Sequence, residues 1–486
     1  MPDLFKPPVP DASRPIVRWN QLYGSSAALA LAEAAAADAR PWVVVEPDSR
    51  SLERRRAELQ FFAPAGLRLL SLPDWEVLPY DQFSPHADIV SERLLTLAEL
   101  PTWRRGILLV TADTLLQRLP PRAYVAGRSF TLAVGDTLAL DAFRARLVEA
   151  GYASVSQVGG PGEFALRGSL LDVFPMGTDT PLRIDLFDDQ IEAIRRFDPQ
   201  TQRSRDTLPS VRLLPAREIP LDGDAVRAFR RRWRQRFEGD PTRSPLYRGV
   251  SEGLAPPGIE FWLPLFHDET ATLFDYLPGD AVLADTAEFG QALDRSWEGI
   301  GQRYEERRHD IERPLLGPTE LFVEPGDVRN AIARFPRVEI SNFKAEEERS
   351  GVIVNFPTAA PREFRLDARA EQPLAPLEAF LAEHPGRVLL AADSPGRREV
   401  LADMLRAAGR KAVAVDGWQR FVASDARLSL AVAPELAGLT LLDPPVAVLS
   451  ESQLFGTRAR QERRRRKSAA DPAAILRDLQ TLTAGA

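Results

Sequence analysis

The sequence predicts a multidomain α/β protein: a parallel α/β domain interrupted by a β-rich insertion, then a second, smaller α/β domain. Three observations carry this reading. The first hundred residues alternate helical and strand periodicities, the signature of βαβ units and a parallel sheet. Residues 162–204 switch to closely spaced short strands. Residues from about 373 to 450 return to alternation in a compact stretch. At 486 residues the chain has room for three or four domains of ordinary size.

In chain order, Ala27–Ala37 is Ala-rich and helical, Trp42–Glu46 (WVVVE) is a short buried strand, and Ser51–Phe61 is again helical. Leu67–Leu72 and Ile107–Thr111 are further apolar strands, with the helix Val90–Leu100 between them. Helix Leu140–Ala150 opens the insertion. There Ser169–Phe174, Leu182–Phe187 and Ile191–Phe197 read as strands separated by a Pro/Gly turn and an Asp-rich turn. Beyond Leu213 come a basic helix at 224–237, a Pro/Gly-rich stretch at 241–258 and the strand Ala281–Ala284, which is expected to rejoin the first sheet. A charged helix spans 286–311, and a strand- and Pro-rich boundary spans 349–372. Helix Leu374–His384, strand Arg387–Ala392, helix Arg397–Ala408 and strands Lys411–Val415, Leu428–Val432 and Val446–Ser450 form the last unit. The expected domains are therefore 1–118 with 214–348 (discontinuous), 119–213 (inserted) and 349–456, followed by a basic linker at 457–486.

Composition narrows the function. No apolar run approaches the roughly 18–20 residues that span a bilayer, and MPDLFKPPVPDASRP has four prolines before Ser13 and no apolar core. It is not a signal peptide. With no cysteine and only four scattered histidines, thiolate and His-based metal sites are not expected. A cytoplasmic location without membrane contact is the expectation. The net charge of −7 argues against wholesale coating of nucleic acid, although Arg463, Arg464, Arg465, Arg466 and Lys467 form a basic run. That run suits either phosphate contact or a solvated linker helix.

Three further segments invite a functional reading. Gly24-Ser25-Ser26-Ala27-Ala28-Leu29-Ala30-Leu31 lies where an α/β ATPase domain carries its phosphate loop. A working loop needs a second Gly, a Lys and a Ser/Thr at the positions held by Leu29, Ala30 and Leu31. The segment therefore reads as a turn and helix start that binds no nucleotide, and no Walker B pair stands out at a strand end. Leu72–Leu94 gathers Trp75, Tyr80, Phe83 and His86, either a base-stacking patch or rings tucked against the core. Phe229, Trp233 and Phe237 fall at i, i+4 and i+8 and make one apolar helical stripe among arginines, which favours docking on a core. No Ser/His/Asp set and no supported carboxylate pair is present, so no catalytic residue is assigned.

The insertion carries the most specific signal. Arg167, Arg183 and Phe187 sit where a small sheet would display them together, the chemistry of a protein-docking surface. Arg183 and Phe187, four residues apart in one strand, would share a face about 13 Å apart. The alternative is Arg183 pairing with Asp185 or Asp172, with Phe187 in the core.

Gly151-Tyr152, Gly162-Glu163-Phe164, Arg167-Gly168, Leu171–Pro175 (LDVFP), Arg183, Phe187-Asp188, Ile194-Arg195, Phe197-Asp198 and Gln202-Arg203-Ser204 closely resemble the domain shared by the excision-repair protein UvrB and the bacterial transcription-repair coupling factors. Trp75–Leu94, LLPARE at 213–218, FDYLP at 274–278 and LSESQLFG at 449–456 are similar to the coupling factors rather than to UvrB. The resemblance covers essentially the whole chain. It implies a RecA-like first domain that has lost its nucleotide motif, an inserted α+β domain that binds UvrA through Arg167, Arg183 and Phe187, and a small α/β domain with no assigned activity. It further implies that RNA-polymerase binding and the translocase, with its ATP and Mg²⁺, belong to domains beyond the end of this sequence. The chain itself is then a non-catalytic, cofactor-free adaptor that recruits UvrA in transcription-coupled excision repair and helps restrain the motor through the C-terminal domains of its parent. RNA polymerase and DNA would be reached only through those further domains. The alternatives are a UvrB-like ATP-dependent DNA repair enzyme and a DNA-binding module built on the basic helices.

Overall fold

The computed structural model describes residues 3–346, 352–366 and 372–456. The basic run Arg463–Lys467 lies outside the described residues. Strands β1 (Ile16–Asn20), β2 (Pro41–Glu46), β3 (Leu69–Leu72) and β4 (Gly106–Thr111) begin a parallel sheet. Every residue of β2 and β4 is buried, as the two-sided apolar runs WVVVE and GILLVT require of central parallel strands.

The chain then leaves for the insertion: β5 (Phe130–Ala133), β6 (Ala153–Ser154), β7 (Glu163–Arg167), β8 (Leu170–Val173), β9 (Leu182–Phe187), β10 (Gln190–Phe197), β11 (Ser204–Leu208) and β12 (Ser210–Leu213). Six of these form a sheet ordered β11-β10-β9-β8-β7-β6, while β5 and β12 pair separately and close the entrance to the exit. Strand β9 alternates strictly between buried and half-exposed or exposed residues, matching its LRIDLF pattern.

The first sheet resumes with β13 (Val282–Thr286), β14 (Arg337–Ile340) and β15 (Val352–Asn355). Its order is β15-β1-β14-β13-β2-β4-β3 and all pairings are parallel. The strand expected at Ala281–Ala284 thus returns to the first sheet. Strand β15 lies past residue 348, yet it adds to the open edge of β1 and is therefore part of this layer. A last, mixed sheet contains β16 (Thr358–Ala359), β17 (Arg387–Ala392), β18 (Val413–Ala414), β19 (Leu428–Val432), β20 (Leu439–Leu442) and β21 (Pro445–Ser450), ordered β16-β20-β21-β17-β19-β18.

Helix α1 (Ser26–Ala37) follows β1, α2 (Ser49–Phe62) follows β2, and α3 (Ala87–Glu99) follows β3. Asp48 caps α2 by accepting the Ser51 N–H. The Ala-rich α1 is buried almost all round because the sheet lies on one side and the last domain on the other. One apolar cluster joins Ala28, Leu29 and Leu31 to Trp418, Leu439 and Val448.

The insertion is anchored, not tethered. The Gly177 N–H of the insertion donates to the Ser91 hydroxyl of α3 at 2.7 Å. The fully buried Arg93 of α3 ties together the two segments that flank the insertion, its Nε donating to Glu218 Oε1 at 2.5 Å and its Nη1 to the Gln117 side chain at 2.9 Å. Tyr152 Oη donates to the Leu214 carbonyl at 2.9 Å, and a second apolar cluster runs from Val43 through Leu171 and Ile184 to Phe261.

Two segments with open readings resolve toward the core. Trp75 and Tyr80 are buried against Phe261, while Phe83 and His86 of the same loop are exposed. Phe229 and Trp233 are buried against Tyr247 and Phe266, with arginines on the helix's outer faces. A stripe at that spacing is what a helix needs to seat on a core.

Candidate partner-docking site

The cross-strand register of the insertion determines which side chains share a face. Arg167 stands opposite Leu170, Asp172 opposite Arg183, and Leu170 opposite Asp185. Residues directly opposite share a face and so do residues two apart. Arg167, Leu170, Asp172, Arg183, Asp185 and Phe187 therefore lie on one face. Leu171, Val173, Ile184 and Leu186 point the other way into the core. Arg167 ends β7 and Phe187 ends β9, at the same end of the sheet and two strands apart, which places their backbones about 10 Å from one another.

The three candidate residues are not equivalent. Phe187 is 71 % exposed, far from the core placement that was its alternative. The backbone causes this: Phe187 closes β9 just before Asp188, which adopts a φ of 50° in the hairpin, so the ring projects beyond the covered part of the sheet. Arg167 is exposed, and its Nη2 donates to the Ser156 carbonyl at 2.6 Å, which holds the guanidinium at the rim. Arg183 is engaged inside the module. It forks onto Asp172 (Nε to Oδ1 2.7 Å, Nη2 to Oδ2 2.9 Å), also donates to Gln202, and lies 4.7 Å over the Phe197 ring. The Asp172 hydrogen bonds raise its already high pKa further. Arg183 thus pairs as its alternative reading anticipated, with Asp172. Asp185 instead receives Arg195 from β10. Gln202 and Phe197 complete the Arg183 setting, and only the hairpin register that folds 198–203 back over β9 brings them there.

The second candidate segment lies at the carboxyl end of β1. Gly24 has a φ of 57°, and a Cβ there would overlap the Gly438 carbonyl oxygen and stand 2.8 Å from Pro361 Cγ. The Ser25 N–H donates to the Gly438 carbonyl at 2.8 Å; its hydroxyl donates to Glu58 Oε1 at 2.8 Å and accepts the Ala437 N–H at 2.9 Å. Glu58 is bridged to Arg55, which also binds Glu46 at 2.7 Å. Burial pushes the Glu58 carboxyl up, against the opposing pull of Arg55. Leu29, Ala30 and Leu31 are fully buried core residues. Among the described residues no group of His, Asp and Glu is arranged to hold a metal ion, and no helix is long and apolar enough to cross a membrane.

The fold is that of a RecA-like α/β protein with an inserted β-rich interaction domain and a further mixed α/β domain. Residues 130–219 match the family model of the UvrB interaction domain, and residues 380–454 match the Mfd D3 domain. The transcription-repair-coupling factor of Haemophilus influenzae is 37% identical over 486 residues, covering 99% of this chain. That of Escherichia coli is 34% identical over 489 residues, covering 100% of it. That of Myxococcus xanthus is 34% identical over 362 residues, covering 70% of this chain and 30% of its own length. The chain belongs with the transcription-repair-coupling factors and corresponds to their N-terminal part; it spans about 42% of the length of the first two relatives.

Proposed function

We propose that this chain is an adaptor that docks UvrA through the exposed corner of its inserted domain, in transcription-coupled nucleotide excision repair. The observation that carries the reading is Phe187: a large ring left 71 % exposed at the tip of an otherwise well-packed strand, on the same face as Arg167. Burying a Phe ring in a partner's pocket is worth about 1.5–3 kcal/mol. A rim arginine with free donors adds orientation against a carboxylate. Arg183 acts one step back. Its fork on Asp172 and its stack on Phe197 hold the β8–β9–β10 surface in shape.

The Gly24–Leu31 segment supports the non-enzymatic part of the proposal. A nucleotide's phosphates would need backbone donors, a lysine and a hydroxyl. Here the Ser25 donors are already taken by Gly438 and Glu58, and a second anion beside Glu58 would meet like charge. The chain then needs no ATP or Mg²⁺, and the motor, polymerase and DNA contacts belong to further domains of such factors, which this part helps restrain. The inserted domain is the docking unit at about 119–213, on the discontinuous platform of 1–118 and 214–348, and the protein works in the cytoplasm.

The test is a UvrA pull-down with Phe187→Ala and Arg167→Ala. Each is expected to reduce capture at least tenfold, with circular dichroism and melting unchanged. Wild-type capture by both variants sinks the assignment.

A further inference from the structure

The end of β1 and the start of α1 form the place where open α/β sheets hold phosphate groups, at the carboxyl ends of the strands and a helix N-terminus. In this chain that place is filled by another part of the same chain. The turn Glu435–Gly438, between β19 and β20, lies across it. Its Gly438 carbonyl accepts the Ser25 N–H and its Ala437 N–H donates to the Ser25 hydroxyl. Two glycines make the approach possible: Gly24 has no room for a Cβ against Gly438 and Pro361, and Gly438, at a φ of 75°, has none against Gln453.

The contact is the centre of a broad seam. Thr358 of β16 accepts the Tyr23 N–H at 3.3 Å, and its carbonyl accepts Gln21 Nε2 at 3.1 Å. Trp418, fully buried, is inserted between Phe5 (ring centroids 6.4 Å, stacked) and Phe62 (5.1 Å, edge-on), and Gln419 donates to the Phe62 carbonyl at 3.2 Å. Both sides of the seam contribute to a single apolar cluster, from Val17 and Trp19 to Leu436 and Leu441.

We infer that the C-terminal α/β domain is the resident occupant of the vestigial phosphate loop, a peptide turn standing where a nucleotide's phosphates would stand. Residues 16–62, 356–366 and 372–450 are thereby locked into one cooperative unit whose shape does not respond to nucleotide. This assigns the C-terminal domain a role, as the clamp that makes the docking platform rigid. A motor lobe opens and closes with its ligand; this lobe carries its ligand's substitute covalently, on the same chain. The inference rests on the reading that the loop binds no nucleotide.

Scanning calorimetry of the whole chain tests it, using Gly24→Val, which drives a side chain into Gly438, and Trp418→Ala, which empties the aromatic seam from the other domain. The expected result is a split of the transition that contains both domains, with one component falling by roughly 5 °C or more. Trp418→Ala keeps the test decisive if Gly24→Val does not fold. An unsplit and unshifted transition in both variants, or in Trp418→Ala alone, overturns the inference. A fluorescent-ATP titration runs alongside. Micromolar binding by the unmodified chain overturns the underlying reading instead, whereas binding that appears only in Trp418→Ala supports the occupancy.

Discussion

The turn at Gly24 and the hairpin at Phe187 are the two places where this chain has the outline of a binding site, and they differ in what faces them. At Gly24 the backbone donor, the hydroxyl and the nearby carboxylate are all matched by groups of the same chain, and the side chains behind them are fully buried. At Phe187 the ring is 71 % exposed, and Arg167, exposed on the same face, spends one donor on the Ser156 carbonyl. The difference is one of coverage. The Gly24 turn is closed with internal hydrogen bonds and packing. The Phe187 corner, the proposed docking surface, leaves an apolar side chain largely uncovered.

Substitutions at the two places should separate stability from binding. The largest stability loss is expected for Glu58→Ala. It removes one of the two carboxylates paired with the buried Arg55, leaving Glu46 alone to balance it, and takes away the acceptor of the Ser25 hydroxyl. This should cost about 3 kcal/mol, the low end for breaking a buried ion pair. Urea melts would read it, and a midpoint equal to wild type would mean the loop region is not the closed site described. Arg183→Ala comes next. Losing a partly buried fork on Asp172 and a cation over Phe197 should cost roughly 1–3 kcal/mol, in addition to weakening UvrA capture. Phe187→Ala should lie within about 0.5 kcal/mol of wild type in the same melts, because an exposed side chain contributes little to folding. Its effect belongs entirely to capture of the partner, and a Phe187→Ala variant that melts like Arg183→Ala would erase the distinction between anchor and scaffold.

A separate effect concerns pH and a charge on the first sheet that belongs to neither place. Burial pushes the Asp285 carboxyl up to about 7, with Arg337 pulling the other way. In the unfolded chain its pKa is about 3.9. The folded state therefore holds the proton over the interval between, and the stability this contributes is full below the unfolded value and is lost as pH rises through about 7. Asp285→Asn should flatten the fall in urea midpoint between pH 5 and pH 8. An unchanged slope in the variant would place the responsible group elsewhere.

Much of the fold was legible from local pattern. WVVVE and GILLVT declare two-sided burial, the i, i+4, i+8 aromatics of 229–237 declare a docked helix, and the strand at 281–284 returns to the first sheet as expected. Several strands went unread, among them β1, β5, β11, β12 and β14, and two more show why. Glu163–Arg167 follows a Gly-rich stretch that masks its alternation, and Leu439–Leu442 is a four-residue return strand too short to display a period. The proposed docking corner was half legible. Arg167, Arg183 and Phe187 were named by residue type and by resemblance, but alternation tells only that β9 has two faces and not which side chains another hairpin will cover. The 198–203 turn folds Gln202 onto Arg183 and leaves Phe187 bare, and nothing in the six residues of β9 distinguishes those outcomes.

By itself the sequence determined the layer architecture, the position of the insertion, the lack of a lysine and a hydroxyl at the phosphate-loop positions, and the family to which the chain is similar. These follow from periodicity and residue chemistry, which are local. The tertiary structure alone decided what faces the Gly24–Leu31 turn. Ser25 and Ala437 meet across 412 positions of sequence, a contact set by the packing of two whole domains rather than by any motif at either end. It also decided that Arg183 is tied down while Phe187 is free. Pairing register and coverage are properties of neighbours in space, and a chain acquires those neighbours only when it folds.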